Sequence, residues 1–205
     1  AADRPRMPVS DADLDAAAAA ARDGGLVVYP TETVYGLGAD ALDADAVEAV
    51  FAAKDRDRDK PLSFAFPDAD AASEHVHWSD TERAFAHAFL PGPVTLVCEK
   101  RDSVPDALTG GRDRVGVRVP DHDVALALLD RVAPLTATSA NVSGEPSVTN
   151  PADLAPAFRE RVDAVLDAGD TPGGTGSTVV DVERAKILRE GAVGDAVREW
   201  LAANA

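Results

Sequence analysis

Short apolar runs alternate with polar, aspartate-rich stretches along almost the whole chain, and the periodicity of each run separates strands from helices. Ser10 followed by Asp13 has the form of a capping box, so the alanine-rich segment to Arg22 predicts a helix that Gly24 and Gly25 stop. A strand is expected at 26–29. Asp43 or Asp45 opens a second helix, with Val47, Val50 and Phe51 on one face, ending near Lys54. Pro61 leads into the apolar strand LSFAF. Ser79 opens a helix whose Phe85, Phe89 and Leu90 point inward, and PGP at 91–93 ends it before the strand VTLVC. VGVRV at 115–119 predicts a strand, Asp121 the start of a helix reaching Val132, and 135–138 a short strand running into TSANVSG. After Pro151 follow a helix, the segment AVLDAG, a glycine-rich loop, the strand TVVDVE, a short KILREG segment and a terminal helix over 194–203. Strands alternate with helices, which places the chain in the α/β class, a sheet covered by helices. No internal repeat or long linker interrupts the pattern, and residues 1–205 are read as a single domain.

One stretch carries more chemistry than its position needs. YPTETVYGLG, residues 29–38, follows the apolar run Leu26, Val27, Val28 and packs three hydroxyls, a carboxylate and an aromatic ring into seven positions. A turn explains Pro30, Gly36 and Gly38. If the segment stays extended, Thr31, Thr33 and Tyr35 share a face toward a ligand, with Glu32 and Val34 pointing away. Gly36, Gly38 and Ala41 also match G-x-G-x-x-A, but a dinucleotide fingerprint opens a helix inside the motif, and here the helix starts only near Asp43.

Charge narrows the functional classes. The formal net charge is −16, aspartate outnumbers glutamate, and four lysines stand against sixteen arginines. Such a molecule repels phosphate as a whole, which argues against a general affinity for nucleic acid and makes any cationic site local. At ~1 M salt the self-repulsion of this surface is screened, which suggests a halophilic source; a codon bias toward Ala, Asp and Arg is the competing explanation. No apolar run approaches the ~18 residues of a membrane span, and the alanine run Ala16–Ala21 lacks the plan of a signal peptide, so the expected compartment is the cytoplasm. The single cysteine, Cys98, lies in a strand pattern and reads as core.

KDRDRDK at 54–60 holds four cations in seven residues. It reads as a solvated loop of alternating charge or, if extended, as a wall with Lys54, Arg56, Arg58 and Lys60 on one side, suited to a polyphosphate. Ser139, Asn141 and Ser143 in TSANVSG form either an ordinary polar turn or a set of donors and acceptors for an amino acid or a phosphate. PGGTGST at 172–178 lacks the lysine of a P-loop and precedes a strand, leaving a hinge or a side wall of a nucleotide pocket. His75 and His77 in EHVHW have no evident third ligand and read as solvent-facing or packed on Trp78; no metal site is assigned.

Taken together, YPTETVYGLG, K-x-R followed by K-P-L, PGPVTLV, VRVP and S-x-N-x-S-G in that order resemble the YrdC-like family of threonylcarbamoyl-adenylate synthases, over about residues 10–191. The resemblance implies an α/β fold with a twisted mixed sheet and flanking helices enclosing a concave cationic cavity, in the single-domain form. It implies the conversion of L-threonine, bicarbonate or CO2 and ATP, with Mg2+, to L-threonylcarbamoyl-adenylate and pyrophosphate. The intermediate would pass to a downstream tRNA threonylcarbamoyl transferase complex, with tRNA contact weak or indirect. Position by position, Lys54 and Arg56 match the catalytic cations. Thr33, Tyr35, Arg118 and Ser139 fall in the threonine site. Arg56, Lys60, Arg114, Asn141, Thr149 and Arg189 fall at or near nucleotide positions. Where many family members carry a histidine that helps hold threonine, this chain has Ala65, so either another side chain compensates or the threonine site is looser. Two other readings remain open: an RNA-binding module using the cationic cavity, against which the acidic balance weighs, and a relative that forms carbamoyl-adenylate from carbamoyl phosphate.

Overall fold

A computed structural model describes residues 9–204 of the 205-residue chain. The eight residues before it and the last one, part of the 1–205 domain expectation, lie outside the described residues. Helix α1 (Asp11–Arg22) is opened by the capping box of Ser10 and Asp13. Strands β1 (Val27–Tyr29) and β2 (Gly36–Gly38) flank the YPTETVYGLG turn. Helix α2 (Ala44–Lys54) is capped by the Asp43 carboxylate and ends at Asp55, which takes a left-handed conformation. There follow β3 (Ser63–Ala65), α3 (Ala69–Ala72), β4 (Val76–His77), α4 (Asp80–Phe89), β5 (Val94–Lys100), α5 (Asp106–Thr109) and β6 (Arg114–Arg118). The chain continues through α6 (Asp123–Leu129), β7 (Leu135–Ser139), α7 (Pro156–Arg159), β8 (Ala164–Val165), β9 (Thr178–Asp181), β10 (Lys186–Arg189) and α8 (Gly194–Ala203).

Two helices differ from the sequence pattern for local reasons. The helix expected from Asp121 starts two residues later, because the His122 imidazole accepts the Val124 N–H and so caps it. The segment after Pro151 is a single 3-10 turn followed by α7, since Pro156 cannot continue a hydrogen-bonded ladder from the preceding turn.

The strands form one mixed sheet in the order β10-β9-β5-β6-β3-β7-β2-β1-β8, with β4 on the side of β5. Three pairings, β1 with β8, β3 with β6 and β5 with β9, are parallel. Alternation along the strands sends Val28, Leu37, Phe64, Leu96, Cys98, Val115, Val117 and Val180 to one face, where α2 and α4 close the main core. Burial pushes the Cys98 thiol well above its ordinary pKa, consistent with an inert core cysteine.

The opposite face is divided. At the β1 end, Val27, Tyr29, Ala65 and Leu135 pack under α1 and α6 in a second core. The Tyr29 ring lies over Gly36 and Gly38, where a Cβ would come within 3.1 and 3.0 Å of it. The two glycines of the G-x-G are therefore packing glycines on a strand. Toward β6, β5 and β9 the same face carries Ser63, Thr95, Arg114, Gly116, Arg118, Val179 and Asp181, and these side chains line a cavity.

Candidate functional site

The cavity measures about 610 Å3, within the usual range for small-molecule sites. Six arginines line it (Arg56, Arg112, Arg114, Arg118, Arg184, Arg189), with Asp113 and Asp181 as the acidic side chains. In a chain of net charge −16, this local excess of arginines makes a wall suited to an anion.

Arg118 rises from the end of β6 and is nearly buried. Its Nη2 donates to Thr33 Oγ1 at 3.0 Å, to Glu32 Oε1 at 3.0 Å and to Thr31 Oγ1 at 3.5 Å. The turn beneath it is not extended. Thr31 Oγ1 donates to the Val34 carbonyl at 2.6 Å and accepts the Thr33 N–H, which closes a compact threonine turn. Because the Thr31 proton is engaged there, Thr33 is the donor in the 3.0 Å contact between the two hydroxyls. Thr33 Oγ1 also accepts from Arg118, which leaves it one lone pair for a ligand donor.

This turn corrects the expected division of faces. Glu32 does not point away, since it pairs with Arg118, and Val34 lines the cavity. The Tyr35 hydroxyl, expected on threonine, runs the other way: it donates to the Gly169 carbonyl at 2.7 Å and accepts the Ala168 N–H at 3.1 Å. Tyr35 borders the cavity as a fully buried anchor between two loops.

The basic loop is also not a single wall. The left-handed Asp55 turns the chain after α2, so the four cations diverge. Lys54 is buried and donates to the carbonyls of Ser139 and Asn141. Burial, with repulsion from Arg56, drives its pKa down to about 7, while the two carbonyls favour the charged form. Arg56 alone of the four lines the cavity, braced by the carbonyls of Lys60 and Pro61, both at 3.0 Å. Arg58 pairs with Glu48, and Lys60 is an exposed residue 3.5 Å from Asp57.

Ser139 lines the cavity at the end of β7. Asn141 and Thr149 lie beyond it, in a neighbouring cavity of about 300 Å3, and Ser147 borders both spaces. The Asn141 amide donates to the carbonyls of Val142 and Glu145, and its buried Oδ1 has no partner. Arg189 donates to Ser177 through both carbonyl and hydroxyl. Burial holds its guanidinium below the ordinary arginine range, and Arg118 and Arg56 add repulsion, so these three cations face a shared space. Arg114 is held by Asp181 at 3.1 Å, Glu82 at 3.3 Å and the Val97 carbonyl. Burial raises the Glu82 pKa, partly opposed by the Ser79 N–H and Arg114.

Sequence reasoning passed over Ser63, Thr95, Arg112 and Arg184, which also line the cavity. The signal for Ser63 and Thr95 was strand alternation: each lies on the face opposite its apolar neighbours. Gly176 and Ser177 of PGGTGST form part of the side wall. His75 stacks on Phe66 and bonds Ser103, and His77 is exposed on β4.

With this geometry in hand, a family model covering Sua5, YciO and YrdC, described as "Telomere recombination", matches residues 19–191. The chain belongs to this Sua5/YciO/YrdC family. Two similar members are named threonylcarbamoyl-AMP synthase. The Pyrococcus abyssi protein is 40% identical over 181 residues, covering 86% of this chain and 53% of that relative. The Xanthomonas campestris protein is 37% identical over 183 residues, covering 87% of this chain and 97% of that relative. The chain thus spans about half the length of the first and nearly all of the second. Among solved structures, P. abyssi Sua5 complexed with L-threonine superposes with a TM-score of 0.86 at 40% identity, over 91% of this chain and 56% of that one. E. coli YciO superposes with a TM-score of 0.79 at 25% identity, over 87% and 89%. The Sua5/YciO/YrdC fold therefore accounts for the twisted mixed sheet. Among the described residues, no helix is long and apolar enough to cross a membrane.

Proposed function

We propose that the chain is an L-threonylcarbamoyl-adenylate synthase, joining L-threonine, bicarbonate or CO2 and ATP with release of pyrophosphate. The observation that carries this reading is the pairing of Arg118 with Thr33 on the floor of an arginine-lined cavity. It is supported by relatives named threonylcarbamoyl-AMP synthase and by the L-threonine complex of a similar structure.

In this reading Arg118 takes the threonine carboxylate, and Thr33 Oγ1 and Ser139 take the remaining polar groups of the amino acid. Arg56, Arg114 and Arg189 face the triphosphate. The nucleotide extends past Ser147 into the smaller cavity, toward Asn141 and Thr149. Lys54 acts from behind, by fixing the carbonyls of Ser139 and Asn141. Lys60, exposed and turned toward Asp57, reaches the nucleotide only if the loop moves.

Chemically, the neutral threonine amine attacks CO2, forming the N–C bond and releasing a proton to solvent, to give a carbamate. A carbamate oxygen attacks the α-phosphorus, the bond to the bridging oxygen breaks, and pyrophosphate leaves with the electron pair. Holding carbamate and phosphate together supplies up to ~7–11 kcal/mol in favourable intramolecular cases. Charge growing on the phosphoryl oxygens is met by fixed guanidinium groups. Mg2+ enters as part of the nucleotide substrate and neutralises its phosphates; no resident site on the protein is assigned to it. No side-chain nucleophile is required. The product would be consumed by a transferase that acylates tRNA, in the cytoplasm, with tRNA contact weak or indirect.

The test is incubation with ATP, L-threonine and bicarbonate, followed by mass spectrometry for the adenylate and assay of pyrophosphate. Adenylate that appears only with all three substrates supports the reading. Its absence with a folded, ATP-binding protein overturns it.

A further inference from the structure

Glu32 has no part in the chemistry above, yet it is the only carboxylate paired with Arg118 among the described residues. Its side chain and that of Arg118 are 12% and 9% exposed, so the pair is largely withdrawn from water. All the hydrogen bonds of the guanidinium run through Nη2. Nε and Nη1 make none and are not buried, and Arg118 lines the cavity.

The turn that presents Glu32 is itself clamped. Thr171 Oγ1 donates to the Thr33 carbonyl at 2.9 Å, and the 172–174 loop presses on the same turn. A Cβ at Gly173 would come within 2.6 Å of the Glu32 carbonyl oxygen. A backbone held from both sides presents the Glu32 carboxylate in one place before any ligand arrives.

We infer that Glu32 is the positioning residue for Arg118. It holds Nη2 against the PTET turn and leaves Nη1 as the donor for the carboxylate of an incoming amino acid. An arginine side chain loses much of its rotamer freedom when fixed. With Glu32 in place that ordering is complete in the empty site, which lowers the cost of binding. Glu32 acts through Arg118 and does not touch the substrate. This inference rests on the proposed function, and its test separates the two.

The experiment measures L-threonine, L-threoninamide and ATP affinities by calorimetry for wild type, Glu32→Ala and Glu32→Gln. Glu32→Gln keeps an oxygen acceptor for Nη2 while removing the charge that competes with the substrate carboxylate. Its L-threonine affinity should stay within about threefold of wild type, or tighten. Glu32→Ala releases the guanidinium, and its affinity for L-threonine should fall roughly tenfold or more, with ATP affinity within about threefold. L-threoninamide lacks the carboxylate, so it should bind wild type and Glu32→Ala equally weakly. The inference is overturned if Glu32→Ala binds L-threonine as wild type does, if it loses all three ligands alike, or if Glu32→Gln is as weak as Glu32→Ala. A wild-type protein that binds ATP but no L-threonine overturns the functional reading itself, and this inference with it.

Discussion

The ammonium of Lys54 donates to the carbonyl of Asn141 at 2.6 Å, tying the last turn of α2 to the turn that follows β7. The same group holds the carbonyl of Ser139, so one buried cation fixes both polar residues of the S-x-N segment. Replacing it with methionine keeps the length of the side chain and removes the donors. Lys54→Met should lower kcat/KM for pyrophosphate release about 100-fold, the size of effect that a 1 Å misplacement produces. Circular dichroism should show the fold intact. Unchanged turnover in a folded variant would mean that this turn needs no such support.

The same lysine predicts a pH signature. An ordinary lysine titrates near 10.5, and in the folded chain burial and Arg56 bring Lys54 to about 7. Below about pH 7 both folded and unfolded chains hold the proton, and the folded state carries the full desolvation cost. Between about 7 and 10.5 the unfolded chain binds more protons at this site, so this contribution to stability rises with pH. Measured by urea unfolding, wild type should gain stability relative to Lys54→Met between about pH 6 and pH 9. A difference that stays flat would show that the two carbonyls keep Lys54 charged throughout.

Arg118 and Glu32 make a largely buried ion pair, and cutting one side of such a pair typically costs ~3–5 kcal/mol because the other charge is stranded. Arg118→Met should therefore unfold at markedly lower urea than wild type, apart from any loss of threonine binding. Adding Glu32→Gln to Arg118→Met removes the stranded charge and should recover much of that stability. Additive losses in the double variant would argue against direct coupling.

Much of the framework was legible because its signals are local. Ser10 and Ser79 cap the helices they were expected to open, Asp43 caps α2 as one of the two aspartates expected there, and the apolar runs in β5 and β6 fall where alternation placed them. What escaped was short or set by tertiary contact. β2 consists of Gly-Leu-Gly, a poor strand former, and exists because the Tyr29 ring needs two positions without side chains. The candidate site was legible by residue and not by direction. Period-two reasoning assumed extended backbone through PTET and KDRDRDK. The Thr31 hydroxyl bends the first, and the left-handed Asp55 bends the second. Both bends reassigned side chains, turning Glu32 toward Arg118 and Lys60 away from the cavity.

Gly116 allows a last prediction about the cavity floor. It lies between Arg114 and Arg118 on β6, register-paired with Ser63 on β3 and Val97 on β5. A Cβ built there would strike the Ser63 hydroxyl and come within 2.8 Å of Thr95 Cγ2. Ser63 can turn its hydroxyl aside, but Thr95 is buried, β-branched and already bonded to Ser177 at 2.8 Å, so it has little freedom to yield. Gly116→Ala should cost about 1–3 kcal/mol in stability through overpacking. The displaced Thr95 should also disturb Ser177, the residue that holds Arg189. ATP affinity should then fall several-fold while L-threonine affinity changes less, since Arg118 bonds the PTET turn and not Thr95, Ser177 or Arg189. Calorimetric titration of both ligands reads the split directly. Equal losses of both would place the nucleotide and the amino acid on the same part of the floor.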